Sequence, residues 1–219
     1  HFDHSFELEY NLVEKGKTQL LKEVRAIENL AKFIYIRQAK PLGDGHAILQ
    51  AREIIGNEPF AVLFGDDVVD SKIPAIGQLM KVYEKTGSSV IGLEKIAREE
   101  SIHYGMVALK HSSLSPNPRL IEVGGLIEKP QPTDAPSNFG IIGKYVCTPE
   151  IFEELEKTNS GTHDGEIRLI DGFRRLLKRQ KIYGYEIEGR RFDCGTKLGL
   201  IQATLNWGLK SKEVGGELK

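Results

Sequence analysis

The chain has 219 residues, 40% hydrophobic and 28% charged, with a formal net charge of −1. That is the balance of a soluble globular protein, long enough for one large α/β domain that buries roughly 70–75% of its unfolded surface. The near-neutral charge gives no bulk electrostatic reason to expect nucleic acid or an anionic membrane as partner. No apolar run approaches the ~20 residues needed to span a bilayer, and no signal-peptide pattern is present. Cys147 and Cys194 lack metal-ligand spacing, so no disulfide framework is expected and a reducing cytoplasm is the expected compartment. The chain opens on His1-Phe2-Asp3-His4 without an initiator methionine, as if on the tail of an earlier element.

Residues 6–29 are rich in Glu, Lys and Leu and predict one or two surface helices broken near Gly16. Phe33-Ile34-Tyr35-Ile36-Arg37-Gln38 predicts a short strand, β-branched and aromatic. A loop, 39–45, leads into a helix from about His46 to Ile55. The apolar run Phe60 to Phe64 predicts a strand buried on both faces of a parallel sheet. A helix at 73–83 and a strand at 89–93 follow. Alternating strands and helices predict right-handed crossovers and parallel pairing.

From residue 102 the rhythm changes. Short strands at 104–109, 120–123 and 126–129 follow one another without helices, predicting an antiparallel or mixed region. Another strand spans 138–147, and Thr148-Pro149-Glu150 reads as a helix start with proline at the first helical position. Helices are expected at about 150–157 and 166–180, a strand at 182–188 and a last helix at about 197–211. There is no internal repeat or linker, so residues 1–219 are expected to form a single domain.

Four stretches carry candidate chemistry. Gly65 follows the apolar strand and lets a ligand approach the backbone, and Asp66 offers a hard oxygen donor to Mg²⁺; an ordinary capping turn is the alternative. Gln38, followed by Gly43, can pair with the edge of a nucleobase through its amide; a common glycine-rich turn before a helix is the alternative. Glu128 and Lys129 stand side by side before Pro130, where a carboxylate can take sugar hydroxyls and an ammonium a phosphate; a solvated strand end is the alternative. Asp193, with Gly195 and a helix after it, offers a second carboxylate to the same metal, or a simple turn residue.

The order Gln38…Gly43, Gly65-Asp66, Tyr104-Gly105, Glu128-Lys129-Pro130, Asn138 and Asp193-Cys194-Gly195 resembles the sugar-nucleotide pyrophosphorylases. His1 to Glu9, Ala135-Pro136-Ser137-Asn138 and Asp193 to Gly199 resemble the bacterial UTP–glucose-1-phosphate uridylyltransferases in particular. The resemblance covers essentially the whole chain. It implies a Rossmann-like, three-layer α/β/α nucleotidyltransferase fold with a mixed central sheet. It also implies that Gln38 and Gly43 contact uracil, that Asp66 and Asp193 hold Mg²⁺, that Gly105, Glu128 and Asn138 contact glucose, and that Lys129 meets its phosphate. Asp66, Lys129 and Asp193 would then carry catalysis.

The family's N-terminal strand and its Gly-x-Gly-Thr-Arg loop have no counterpart in these residues. The expectation is therefore a fold lacking its N-terminal βα units, ~60 residues by the size of such motifs, with weakened or absent turnover. The substrates implied are UTP and glucose 1-phosphate, with no nucleic acid and no membrane, and helices at both ends favour a homo-oligomer. Three further readings stay open: a related enzyme using dTTP or another sugar phosphate, a glycosyltransferase using a preformed UDP-sugar, and a non-catalytic nucleotide-sugar-binding module.

Overall fold

A computed structural model describes residues 3–110, 117–158 and 165–219. The chain divides into two compact units, residues 1–39 and 40–219.

In the first unit, α1 (Phe6–Glu14) and α2 (Thr18–Glu28) form a helical hairpin. The turn is a Schellman motif: Lys17 N–H donates to Leu12 C=O at 2.8 Å and Gly16 N–H to Val13 C=O at 2.9 Å. Gly16 makes it possible, because its φ of 62° lies in the left-handed region. The break expected at Gly16 is therefore present. The strand expected at 33–38 is not. Its residues run outside both sheets, because a strand requires a ladder partner and no pairing among the described residues includes them.

In the second unit, a six-stranded sheet among the described residues has the order β1-β6-β3-β7-β5-β4. These strands are β1 (Phe60–Leu63), β3 (Val90–Lys95), β4 (Gly105–Leu109), β5 (Leu120–Glu128), β6 (Phe139–Cys147) and β7 (Tyr183–Glu186). Only β3 and β7 pair in parallel; the other ladders are antiparallel, so the sheet is mixed. β4 touches β6 as well, at Met106 and Gly140, so the sheet curls toward closure.

The Phe60–Leu63 strand is at the edge, antiparallel to β6, with Ala61 and Leu63 exposed. The doubly buried centre is instead β6, paired on both sides and buried at nearly every residue. β1 and β3 do point the same way, as a strand-helix-strand rhythm predicts, but β6 lies between them. The two short strands expected at 120–129 are one, with Gly124 as an extra residue where the pairing steps from Ala108↔Gly125 to Leu109↔Val123. That is a β-bulge, which glycine accommodates.

Helices cover both faces. On one face, α6 (Glu150–Thr158) and α7 (Leu169–Leu176), with Ile48 and Leu49 of α3 (Asp44–Leu49), bury Ile91, Leu93, Tyr145 and Cys147. On the other, Leu79 and Val82 of α5 (Ala75–Thr86) pack on Val90 and Val146. Neighbouring residues of β3 and β6 thus serve opposite layers, as strand alternation requires. The helix expected at 46–55 is split into α3 and α4 (Arg52–Ile55). A second, two-stranded sheet joins β2 (Asp67–Asp70) to β8 (Arg190–Asp193), and α8 (Lys197–Lys210) packs against β8. No helix among the described residues is long and apolar enough to cross a membrane.

Candidate active site

The β2–β8 ribbon organises the site. Its antiparallel register places Asp67 opposite Asp193. The residue before the ribbon, Asp66, is thereby brought to the residues after it, and Cys194 N–H donates to Asp66 C=O at 2.7 Å. A Cβ on Gly195 would stand 3.0 Å from Asp66 Oδ2 and 3.1 Å from Asp193 Oδ1. The two carboxylates therefore converge on one point, which the glycine leaves open. Hard oxygen donors facing a shared space fit Mg²⁺, which commonly takes one or two carboxylates and completes its shell with phosphate oxygens.

Buried charges hold this turn. Lys144, from β6, is only 6% exposed and donates to the main-chain carbonyls of Phe64 at 3.0 Å, Gly143 at 3.2 Å and Asp67. Burial pushes its ammonium below the usual lysine range, while the Asp67 charge opposes that push. Asp67 accepts from Gly143 N–H and from Arg191 Nε. Arg191 also donates to the Tyr104 hydroxyl at 3.0 Å and to Glu94 at 3.2 Å. Burial works against the Arg191 charge, but the hydrogen bond and charge of Asp67 outweigh it and raise its pKa further. Asp67 is thus consumed by the scaffold, which leaves Asp66 as the member of the acidic pair that faces the opening.

A cavity of about 220 Å³ extends from these carboxylates across the end of β5. Gly105 and Glu128 pair directly across β4 and β5, and both line it. A Cβ on Gly105 would meet Ile170 Cδ1 at 2.8 Å and Glu128 Oε2 at 3.2 Å, so the glycine keeps the floor open. Lys129 has φ 43°, a left-handed conformation that ends the strand. Alternation would send Glu128 and Lys129 to opposite faces; the backbone reversal brings both to the cavity, with Lys129 Nζ 3.8 Å from Glu128 Oε1. Burial raises the Glu128 pKa, and the nearby charges of Lys129 and Arg168 partly offset it.

Two lining residues had no sequence signal. Asp44 accepts the N–H groups of Gly45 at 2.8 Å and Leu169 at 3.0 Å, yet burial still raises its pKa. Arg168 immediately precedes α7, with one amine 2.9 Å from Glu166. Both were hidden by distance along the chain, because the loop at 42–46 is laced to Ile167. Ile167 N–H donates to Leu42 C=O at 2.8 Å, and His46 N–H to Ile167 C=O at 3.3 Å. Gly43, φ 97°, lies so close to Ile167 that a Cβ would meet its carbonyl oxygen at 2.5 Å.

Of the sequence candidates, Asp66, Asp193, Gly105, Glu128 and Lys129 share this cavity. Gly43 belongs to the loop beside it. Gln38 lies in the first unit, in the segment beyond α2 that belongs to no helix or strand. Asn138 stands outside the cavity wall, exposed just before β6, with its carbonyl accepting from Ile96 N–H at 3.0 Å.

Residues 6–208 match the family described as nucleotidyl transferase. The chain belongs to the nucleotidyl transferase family. Among relatives in this family, the UTP–glucose-1-phosphate uridylyltransferase of Bacillus subtilis is 47% identical over 218 residues, covering 100% of this chain and 73% of that protein. The Staphylococcus epidermidis protein of the same name is 46% identical over 221 residues, with 100% and 74% covered. A crystal structure of UDP-glucose pyrophosphorylase complexed with UDP-glucose superposes with a TM-score of 0.82 at 36% identity, covering 96% of this chain and 75% of that one. UTP-bound UGPase from Acinetobacter baumannii gives 0.86 at 35%, covering 99% and 74%. The mixed-sheet α/β fold expected from the sequence is the fold of this family.

Proposed function

We propose that this chain is a UTP–glucose-1-phosphate uridylyltransferase, making UDP-glucose and pyrophosphate. The observation that carries the proposal is the meeting of Asp66 and Asp193 with Gly105, Glu128 and Lys129 around one cavity. The Bacillus and Staphylococcus relatives bear that name, and one solved neighbour holds UDP-glucose and another UTP.

In this reading a phosphate oxygen of glucose 1-phosphate attacks the α-phosphorus of UTP, and the bond to the β-phosphate breaks to release pyrophosphate. The nucleophile is already ionised at neutral pH, so no side chain need remove a proton. Catalysis rests on positioning and charge neutralisation. Mg²⁺, held by Asp66 and Asp193, would supply electrostatic stabilisation of phosphate charge. Lys129 offsets the charge of the incoming phosphate. Glu128 accepts hydrogen bonds from ring hydroxyls, and Gly105 lets the ring approach the sheet. Gly43 brings the main chain of its loop to the uracil edge. The cytoplasm as compartment and a homo-oligomeric state belong to the same proposal.

Pyrophosphorolysis tests it. With Mg²⁺ and pyrophosphate, UDP-glucose should be converted to UTP and glucose 1-phosphate, with dTDP-glucose a poorer substrate. Glucosyl transfer to an acceptor, with no dependence on pyrophosphate, would support a glycosyltransferase instead.

A further inference from the structure

In the helical hairpin of the first unit, three side chains that can ligate a metal meet. His4 precedes α1, Glu9 lies within it, and Glu28 ends α2. His4 Nδ1, Glu9 Oε1 and Glu28 Oε1 all lie within 4.8 Å of one another. His4 Nδ1 stands against Glu9 Oε1 and 3.8 Å from Glu28 Oε1.

A second observation falls on the same atoms. Among the described residues, the buried side-chain oxygens that accept no hydrogen bond are Glu9 Oε1 and Glu28 Oε1. The Glu9 side chain is 5% exposed. Two carboxylate oxygens facing each other out of water, with only the exposed His4 ring between them, are costly unless a cation joins them. An ion seated among the three groups would satisfy both oxygens at once. The other Glu9 oxygen is held by Arg25 Nε at 2.7 Å. That hydrogen bond fixes the carboxylate with Oε1 aimed at His4 and Glu28, as outer-shell partners do around metals.

The geometry points to a zinc-type divalent cation site on His4, Glu9 and Glu28, separate from the Mg²⁺ carboxylates. One imidazole nitrogen and two carboxylate oxygens suit Zn²⁺ better than Mg²⁺ or Ca²⁺, which prefer oxygen alone. The His4 side chain is 57% exposed. It therefore has the freedom to open its contact with Glu9, and leaves a fourth position for water. The bound ion would staple the segment before α1 to the last turn of α2. This proposal does not depend on the uridylyltransferase reading.

The test is calorimetric titration of the 219-residue chain with ZnCl₂, in excess Mg²⁺ so that the Asp66–Asp193 pair is already served. One Zn²⁺ should bind. His4→Ala and Glu28→Gln should abolish that heat, and Arg25→Met should weaken binding about 10–100-fold through the outer shell. Asp66→Asn should leave it unchanged. Zn²⁺ should also raise the melting temperature of the unsubstituted chain but not of His4→Ala. The proposal is overturned if Zn²⁺ does not bind, or if His4→Ala, with an unchanged melting temperature before metal is added, binds it equally well. Either result would make the triad an ordinary contact of one histidine with two carboxylates.

Discussion

At the scale of single residues, the site depends on side chains that do not line the cavity. Lys144 is the clearest case, since its ammonium gathers the carbonyls of Phe64, Asp67 and Gly143 beneath the turn that presents Asp66. Lys144→Met removes that donor and strands buried acceptors. Urea unfolding should show a loss of about 1–3 kcal/mol, and Mn²⁺ binding should weaken as the turn loosens; an unchanged midpoint would mean the carbonyls find water. Glu128 makes a different prediction, because burial raises its pKa. A carboxyl raised by folding contributes stability only at low pH, and that contribution is lost as pH rises through its folded value. At neutral pH the ionised group therefore destabilises the protein, and Glu128→Gln should raise the urea midpoint there while weakening UDP-glucose binding. Lys129 is the nearest charge opposing the shift. Lys129→Met should push Glu128 further up, so the acid-side loss of UDP-glucose affinity should begin at higher pH. Affinities measured across a pH series decide it, and an unmoved acid limb would show that Glu128 is not the titrating acceptor.

At the scale of elements, the sequence announced the helices and most strands but not what lay beside what. The Phe60–Leu63 run looked central because its composition is uniformly apolar, yet alternate residues face out and β6 occupies the centre. Composition reports what a strand tolerates, whereas pairing is decided by distant segments. The proposed metal pair was legible in the same local way, Asp66 just after Gly65 at the end of an apolar run and Asp193 two residues before Gly195. What was not legible was that Asp67 and Arg191 would neutralise each other across the β2–β8 ribbon. Asp44 and Arg168 were equally silent, since only the lacing of 42–46 to Ile167 brings them to the cavity. The ribbon is kept in place by α8. A Cβ on Gly199 would collide with the Asp193 carbonyl, while Phe192 packs edge-on to Trp207 at 5.3 Å. Gly199→Ala should therefore push the helix off the strand at a cost of about 1–3 kcal/mol. Mn²⁺ affinity should fall with it, since Asp193 moves. Retained stability with normal metal binding would mean the helix shifts without consequence for the site.

At the scale of the whole molecule, one cavity gathers groups from the β1–β2 turn, β4, β5, β8 and the entry to α7, so ligand binding should be felt by the entire second unit. UDP-glucose with Mg²⁺, at about 100 times its dissociation constant, should stabilise the chain by about 2.7 kcal/mol. At the heart of the proposed function, Asp66 and Asp193, 127 positions apart along the chain, would share one cation at the phosphates of the sugar nucleotide. The most direct measurement is Mn²⁺ binding followed by paramagnetic resonance, with and without UDP-glucose, in the unsubstituted chain and in Asp66→Asn and Asp193→Asn. Each substitution should weaken Mn²⁺ binding strongly, the pair together should do little more than either alone, and UDP-glucose should no longer tighten it. Unaltered Mn²⁺ affinity in the double variant, with the same enhancement by UDP-glucose, would contradict the claim.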